Sequence, residues 1–153
     1  SRSIPVTDGF GIRPICLPLN DKRTFTGEQG LSVGWGRLNE SSNLLPDTLQ
    51  EAEMTILSPE CWGWPQITPF MMCAYTAGQD TCQGDSGGSI VVVENGSSNG
   101  SDSSNIGTNE HYILAGVVSW GHGCAARTPG VYSRVTTALE WIQRFAITCN
   151  RRG

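Results

Sequence analysis

No apolar run in this 153-residue chain approaches the ~20 residues that cross a bilayer, and no charged-then-apolar leader opens it. The first absence excludes a helical membrane span within these residues. The second implies that any secretory leader has been removed. Basic residues are in the minority, and the net charge of −4 argues against nucleic acid or an anionic membrane as the main partner. Histidine occurs only twice, as His111 and His122. Long helical periodicities are scarce, while 19 glycines and 8 prolines interrupt the chain often and point to a loop-rich β protein. The 6 cysteines lack the Cys-x-x-Cys spacing of zinc sites, so disulfides and an oxidising compartment follow. Nothing calls for a metal or a cofactor. The sequons at Asn39, Asn95 and Asn99 agree with a secreted, extracellular chain.

What is present is a series of short apolar runs separated by turns. Segments 29–35, 49–56, 71–74, 89–93, 112–120 and 130–135 are rich in β-branched residues or bounded by Gly, Pro, Asn or Ser. They read as half-buried antiparallel strands, and six of them can close into a small barrel without exposed edges. The expected division is a connector and surface loop over 1–27, a barrel over 28–136, and a C-terminal helix and tail over 137–153. Residues 94–110 form a Ser/Asn/Gly-rich insertion without apolar periodicity, expected as a flexible loop. Ser58-Pro-Glu-Cys61 has the make-up of a short helix start. Thr137 and Glu140 fit a capping box, with Leu139, Ile142, Phe145 and Cys149 at helical spacing behind it.

The stretch Gly78-Gln-Asp-Thr-Cys-Gln-Gly-Asp-Ser-Gly-Gly88 concentrates the chemistry. Glycines permit sharp turns and close backbone approach. A serine in such a turn can sit exposed, with its own amide and that of Gly84 facing one hollow, the arrangement of an oxyanion hole. Taken alone, Gly-Asp-Ser-Gly is equally ordinary turn chemistry.

The run Asp80-Thr-Cys-Gln-Gly-Asp-Ser-Gly-Gly88 resembles the nucleophile loop of the chymotrypsin-fold, trypsin-like serine proteases. Further matches follow in that family's order: Arg13-Pro-Ile-Cys-Leu-Pro18, Gly34-Trp-Gly36, Val118-Ser-Trp-Gly121, Gly123-Cys-Ala125 and Pro129-Gly-Val-Tyr132. The resemblance implies the second barrel of a two-barrel fold, with 12–18 as the strap joining the barrels. It implies Ser86 as nucleophile and Gly84 as oxyanion donor. Asp80 becomes the floor of a pocket that selects Arg or Lys, with Thr81, Gln83, Gly121 and Gly130 around it. Ser119, Trp120 and Gly121 would pair with an extended protein or peptide substrate. Asp85 would receive the α-amino terminus freed on zymogen activation. Disulfides Cys61–Cys73 and Cys82–Cys124 follow by the same resemblance, while Cys16 and Cys149 can pair with each other or reach a partner chain. A further family bridge, across the strands of Gly30 and Val92, lacks both cysteines.

Ser86 needs a base, usually a histidine oriented by a carboxylate. Both histidines follow the serine, whereas the family order is His, Asp, Ser. The chain is therefore expected to begin just after the catalytic aspartate, with His and Asp supplied by an N-terminal chain. A processed, glycosylated two-chain trypsin of this kind is similar to earthworm fibrinolytic proteases. Two rivals differ in class. Gly84-Asp-Ser-Gly-Gly88 also fits the Gly-x-Ser-x-Gly elbow of esterases, but a β run follows the serine where the elbow needs a helix. A catalytically inert, protease-like binding module would be expected to lose Ser86 or Gly84, and both are present.

Overall fold

Alternation of buried and exposed residues builds the strands. Met54 and Ile56, Met72 and Ala74, Ile90 and Val92, and Ile113 and Ala115 each lie two apart and point to one side, into a common core with Tyr132. The computed structural model describes residues 12–41, 43–58, 61, 64–95, 110–124 and 127–145. Its elements are β1 (Gln29–Gly34), β2 (Gln50–Ile56), β3 (Met71–Tyr75), β4 (Ser89–Asn95), β5 (Glu110–Trp120), β6 (Gly130–Arg134) and the helix α1 (Val135–Gln143). All pairs are antiparallel and close a barrel in the order β1-β2-β3-β6-β5-β4. Among the described residues, closure leaves no edge strand to recruit another chain.

β1 puts only small residues inside. Gly30 faces Val92 in the β1–β4 register, so the two positions expected to lack a family disulfide are direct partners. A Cβ at Gly30 would lie 2.7 Å from Cδ1 of Ile90, whose side chain fills that volume. Ser32 is buried and donates its hydroxyl to Ser89 O at 2.8 Å. Arg134 is also buried; its guanidinium donates to Met71 O at 2.8 and 3.1 Å and to Thr24 O at 3.3 Å. Desolvation lowers the Arg134 pKa, and these carbonyls replace the lost water.

Two boundaries differ from expectation. The ladder of β4 and β5 runs past the apolar residues to pair Glu94 with His111 and Asn95 with Glu110, so the ends of the 94–110 insertion are strand. Residues 96–109, with Asn99, lie outside the described residues. The helix begins at Val135, earlier than the capping box at Thr137 and Glu140 implied. Thr137 Oγ1 donates back to Arg134 O at 2.8 Å, and Val135, Thr136 and Leu139 form the buried face. The connector 1–11, Pro59 and Glu60 of the Ser58 turn, and the tail with Cys149 fall outside the described residues. No described helix is long and apolar enough to cross a membrane.

Candidate active site

The segment between β3 and β4 is short of regular hydrogen bonds and is fixed from three sides. Cys82 is bonded to Cys124, which follows β5. Gly87 N donates to Val118 O at 3.0 Å and Val118 N to Gly88 O at 2.8 Å, fastening the loop to β5. Arg37 N donates to Gln83 O at 2.9 Å, fastening it to the chain after β1. Within the loop, the amides of Asp85 and Gly88 donate to Cys82 O and Asp85 O. The expected Cys61–Cys73 bridge forms beneath β3, with Cys61 N donating to Ser58 O at 3.0 Å.

Gly84 has φ of +108° and Gly87 of +83°, a region that side-chain-bearing residues avoid. Ser86 stands exposed between them. Among the described residues, the amides of Gly84 and Ser86 donate to no acceptor.

The Asp85 carboxylate turns inward. It accepts from Gly36 N at 2.8 Å and from Cys82 N at 2.9 Å. Gly34 and Gly36 are glycine because a Cβ at either would collide with this carboxylate. Two amide bonds use about half of a carboxylate's acceptor capacity. A cavity of ≈160 Å³ on that side is bordered by Asp85, Ser32, Gly34 and Gln50.

Ser86 is shared by two other cavities. One, of ≈180 Å³, brings Ser86 together with Asp80, Thr81, Gln83, Trp120, Gly121 and Gly130. Asp80 Oδ1 accepts from Thr81 N at 2.8 Å, and a Cβ at Gly130 would lie 2.7 Å from that oxygen, so glycine keeps the cavity open to the carboxylate. The other, of ≈480 Å³, joins Ser86 and Gly84 to the apolar Trp35, Leu45 and Leu49. Ser119 is left out of the β5–β6 register between Val118 and Trp120. This bulge bends the strand along the first cavity and leaves Ser119 exposed.

Sequence reasoning missed two constellations. Behind Asp80, the buried Tyr132 hydroxyl lies 3.2 Å from Thr81 Oγ1 and 3.3 Å from Met54 Sδ. Burial pushes its phenol up strongly; the Thr81 contact pulls it down, and the charges of Asp80 and Asp85 push it further up. Beside the groove, Trp64 stacks on Trp120 at 5.8 Å, and His122 meets them edge-on at 5.2 and 5.6 Å. The run Cys61-Trp-Gly-Trp64 in a disulfide loop gives no sign of that contact.

Among the described residues, neither histidine hydrogen-bonds to Ser86. His111 pairs with Glu94, seven residues before Val118, which holds the serine loop, a separation of roughly 23 Å along a strand. His122 is engaged with the tryptophans and is not among the residues lining either cavity that contains Ser86.

A serine held over a carboxylate-bearing cavity at the rim of a closed antiparallel barrel defines the class: the second barrel of a chymotrypsin-fold serine protease. The family model described as Trypsin matches residues 3–142, and the chain belongs to that family. It is 38% identical over 137 residues to Transmembrane protease serine 9 of Rattus norvegicus. That match takes in 86% of the chain and 12% of the relative's length.

Proposed function

We propose that this chain is the nucleophile-bearing half of a secreted endopeptidase that cleaves polypeptides after arginine or lysine. The observation that carries the reading is the single cavity holding both Ser86 and Asp80. A substrate guanidinium or ammonium entering it meets the Asp80 carboxylate, while its carbonyl carbon lies near Ser86. Such a charge-assisted pair, formed away from bulk water, favours the cation over a neutral side chain. The amides of Gly84 and Ser86 then stabilise the oxyanion as Ser86 Oγ attacks. Trp120 and the bulged Ser119 give the extended substrate a strand-like wall to lie along. Fibrin falls within this substrate class.

The proton on Ser86 Oγ needs an acceptor; His111 stands at the far end of β5 and His122 packs against Trp64 and Trp120. We assign the base and its orienting carboxylate to a preceding barrel, on a chain cut from this one. Asp85, with half its acceptor capacity unused beside a cavity, takes the α-amino terminus freed by activation. The exposed Asn39 sequon and the two disulfides support an extracellular setting.

Labelling with an arginyl phosphonate tests this reading. The 153-residue chain alone reacts slowly and hydrolyses an arginyl ester poorly. Adding the N-terminal chain restores both by about 10⁴, a magnitude established for this family's triad and not obtained from this chain. Rapid labelling of Ser86 by the chain alone would overturn the two-chain assignment. No labelling by the complete protein would favour the inert binding module.

A further inference from the structure

The segment between β1 and β2 borders the nucleophile loop at two points. Near its start, the Arg37 amide is bonded to Gln83 O at 2.9 Å. Further on, Leu45 lines the cavity that also contains Gly84 and Ser86. Asn39 lies between these two points and opens the sequon Asn39-Glu40-Ser41, all three of whose residues are exposed. Consecutive Cα atoms are 3.8 Å apart, so the Asn39 Cα lies within about 8 Å of the Arg37 Cα. An Asn-linked glycan is bulky and remains solvated. Attached here, it starts beside the contact of Arg37 with the nucleophile loop.

We propose that Asn39 is an N-glycosylation site whose glycan restricts the cleft to flexible or narrow polypeptides and hinders bulky folded substrates and protein inhibitors. This rests on the protease reading above. A small arginyl ester reaches Ser86 beneath the glycan, because Asn39 itself lines neither cavity that contains Ser86. A folded protein must approach across the segment that carries it. The effect is on encounter and orientation, so it appears in the rate of productive association with large partners and not in the chemical step.

The test uses the complete two-chain protease secreted from a glycosylating host. Glycopeptide mass mapping reads occupancy at Asn39. Asn39→Gln, Ser41→Ala and enzymatic deglycosylation of the native protein each remove the glycan by a different route. Turnover of an arginyl ester is expected to stay within about twofold, while kcat/KM for a folded protein substrate and the association rate of a protein inhibitor rise by about tenfold. An unmodified Asn39 overturns the proposal, as does an occupied site whose removal leaves the protein-to-ester ratio unchanged. Failure of the glycosylated protease to turn over the ester counts instead against the protease reading, since occupancy is measured independently of activity.

Discussion

The Asp85 carboxylate and the Gly36 amide meet at 2.8 Å in a space that only a hydrogen atom on the Gly36 Cα leaves open. A methyl group at Gly36 would stand 2.6 Å from Asp85 Oδ1, and one at Gly34 would stand 3.0 Å from Asp85 Cγ. Both contacts are shorter than packed atoms tolerate. Since Asp85 adjoins Ser86, relief must come from displacing the nucleophile loop or the chain after β1.

Gly36→Ala in the complete protease is therefore expected to cost about 1–3 kcal/mol of stability through overpacking. It should also reduce kcat/KM toward an arginyl ester by about 10²-fold, because small displacements at a reacting centre are expensive. Thermal melting and steady-state kinetics measure the two effects. A variant with unchanged melting and unchanged kcat/KM would show that Asp85 does not hold the loop in place.

The strands were legible because their inward positions alternate cleanly, as Ile113 and Ala115 do in β5 and Ile90 and Val92 in β4. The ends of β4 and β5 were not. Glu94, Asn95 and Glu110 join the ladder through backbone bonds, which need no apolar side chain and leave no trace in hydropathy. The helix start was obscured for a related reason. Val135 ends the expected strand 130–135 and Thr136 lies just before the expected helix, yet their burial belongs to the first turn of α1. At the site, the loop from Gly78 to Gly88 carried its chemistry in consecutive residues and could be read directly. The contact of Thr81 with Tyr132 joins residues 51 apart, and the packing of Trp64 on Trp120 crosses most of a barrel in sequence. Such contacts exist only once the strands have closed.

Asp80→Ser tests the selectivity of the cavity. The substitution removes the negative charge and shortens the side chain while keeping a polar group. A charge-assisted pair that forms with the bound substrate is worth about 3 kcal/mol, near 10²-fold in kcat/KM for arginyl and lysyl esters. A phenylalanyl ester should lose little or gain. Undiminished arginyl and lysyl turnover would remove Asp80 from the pocket's selectivity.

Tyr132 gives the fold an alkaline limit. Its folded pKa is raised above the ordinary value of 10.0, chiefly by burial. The folded state thus holds the phenolic proton more tightly than the unfolded state does. The resulting stabilisation is complete below pH 10 and is lost as pH rises above it, by up to about 1.4 kcal/mol per pH unit. Tyr132→Phe removes this slope, and at neutral pH costs about 1 kcal/mol for the lost hydroxyl contacts with Thr81 and Met54. Denaturant unfolding of both proteins from pH 8 to 12 makes the comparison. Parallel pH dependences would mean that another group sets the alkaline limit.

The last prediction concerns the residues joining β4 to β5. Asn95 and Glu110 are direct partners at the end of the ladder, so a two-residue Asn-Gly turn suits the closure. That end is far from the chemistry: Glu110 precedes Val118, which fastens the serine loop, by a distance of roughly 26 Å along the strand. Replacing residues 96–109 of the complete protease by Asn-Gly should leave the barrel's core contacts intact, because Val92, Ile113 and their partners are already paired below the turn. Turnover of a small arginyl ester should stay within about threefold, and melting within about 4 °C, the equivalent of about 1 kcal/mol for a domain of this size. The Asn95 side chain is retained but its sequon is lost, so any glycan there and at Asn99 disappears without affecting Asn39. Normal ester turnover with altered cleavage of a large protein would place the segment at the rim of the substrate's path. Collapse of ester turnover with normal melting would instead mean that residues 96–109 return to line the active site, against the distance set by the strand.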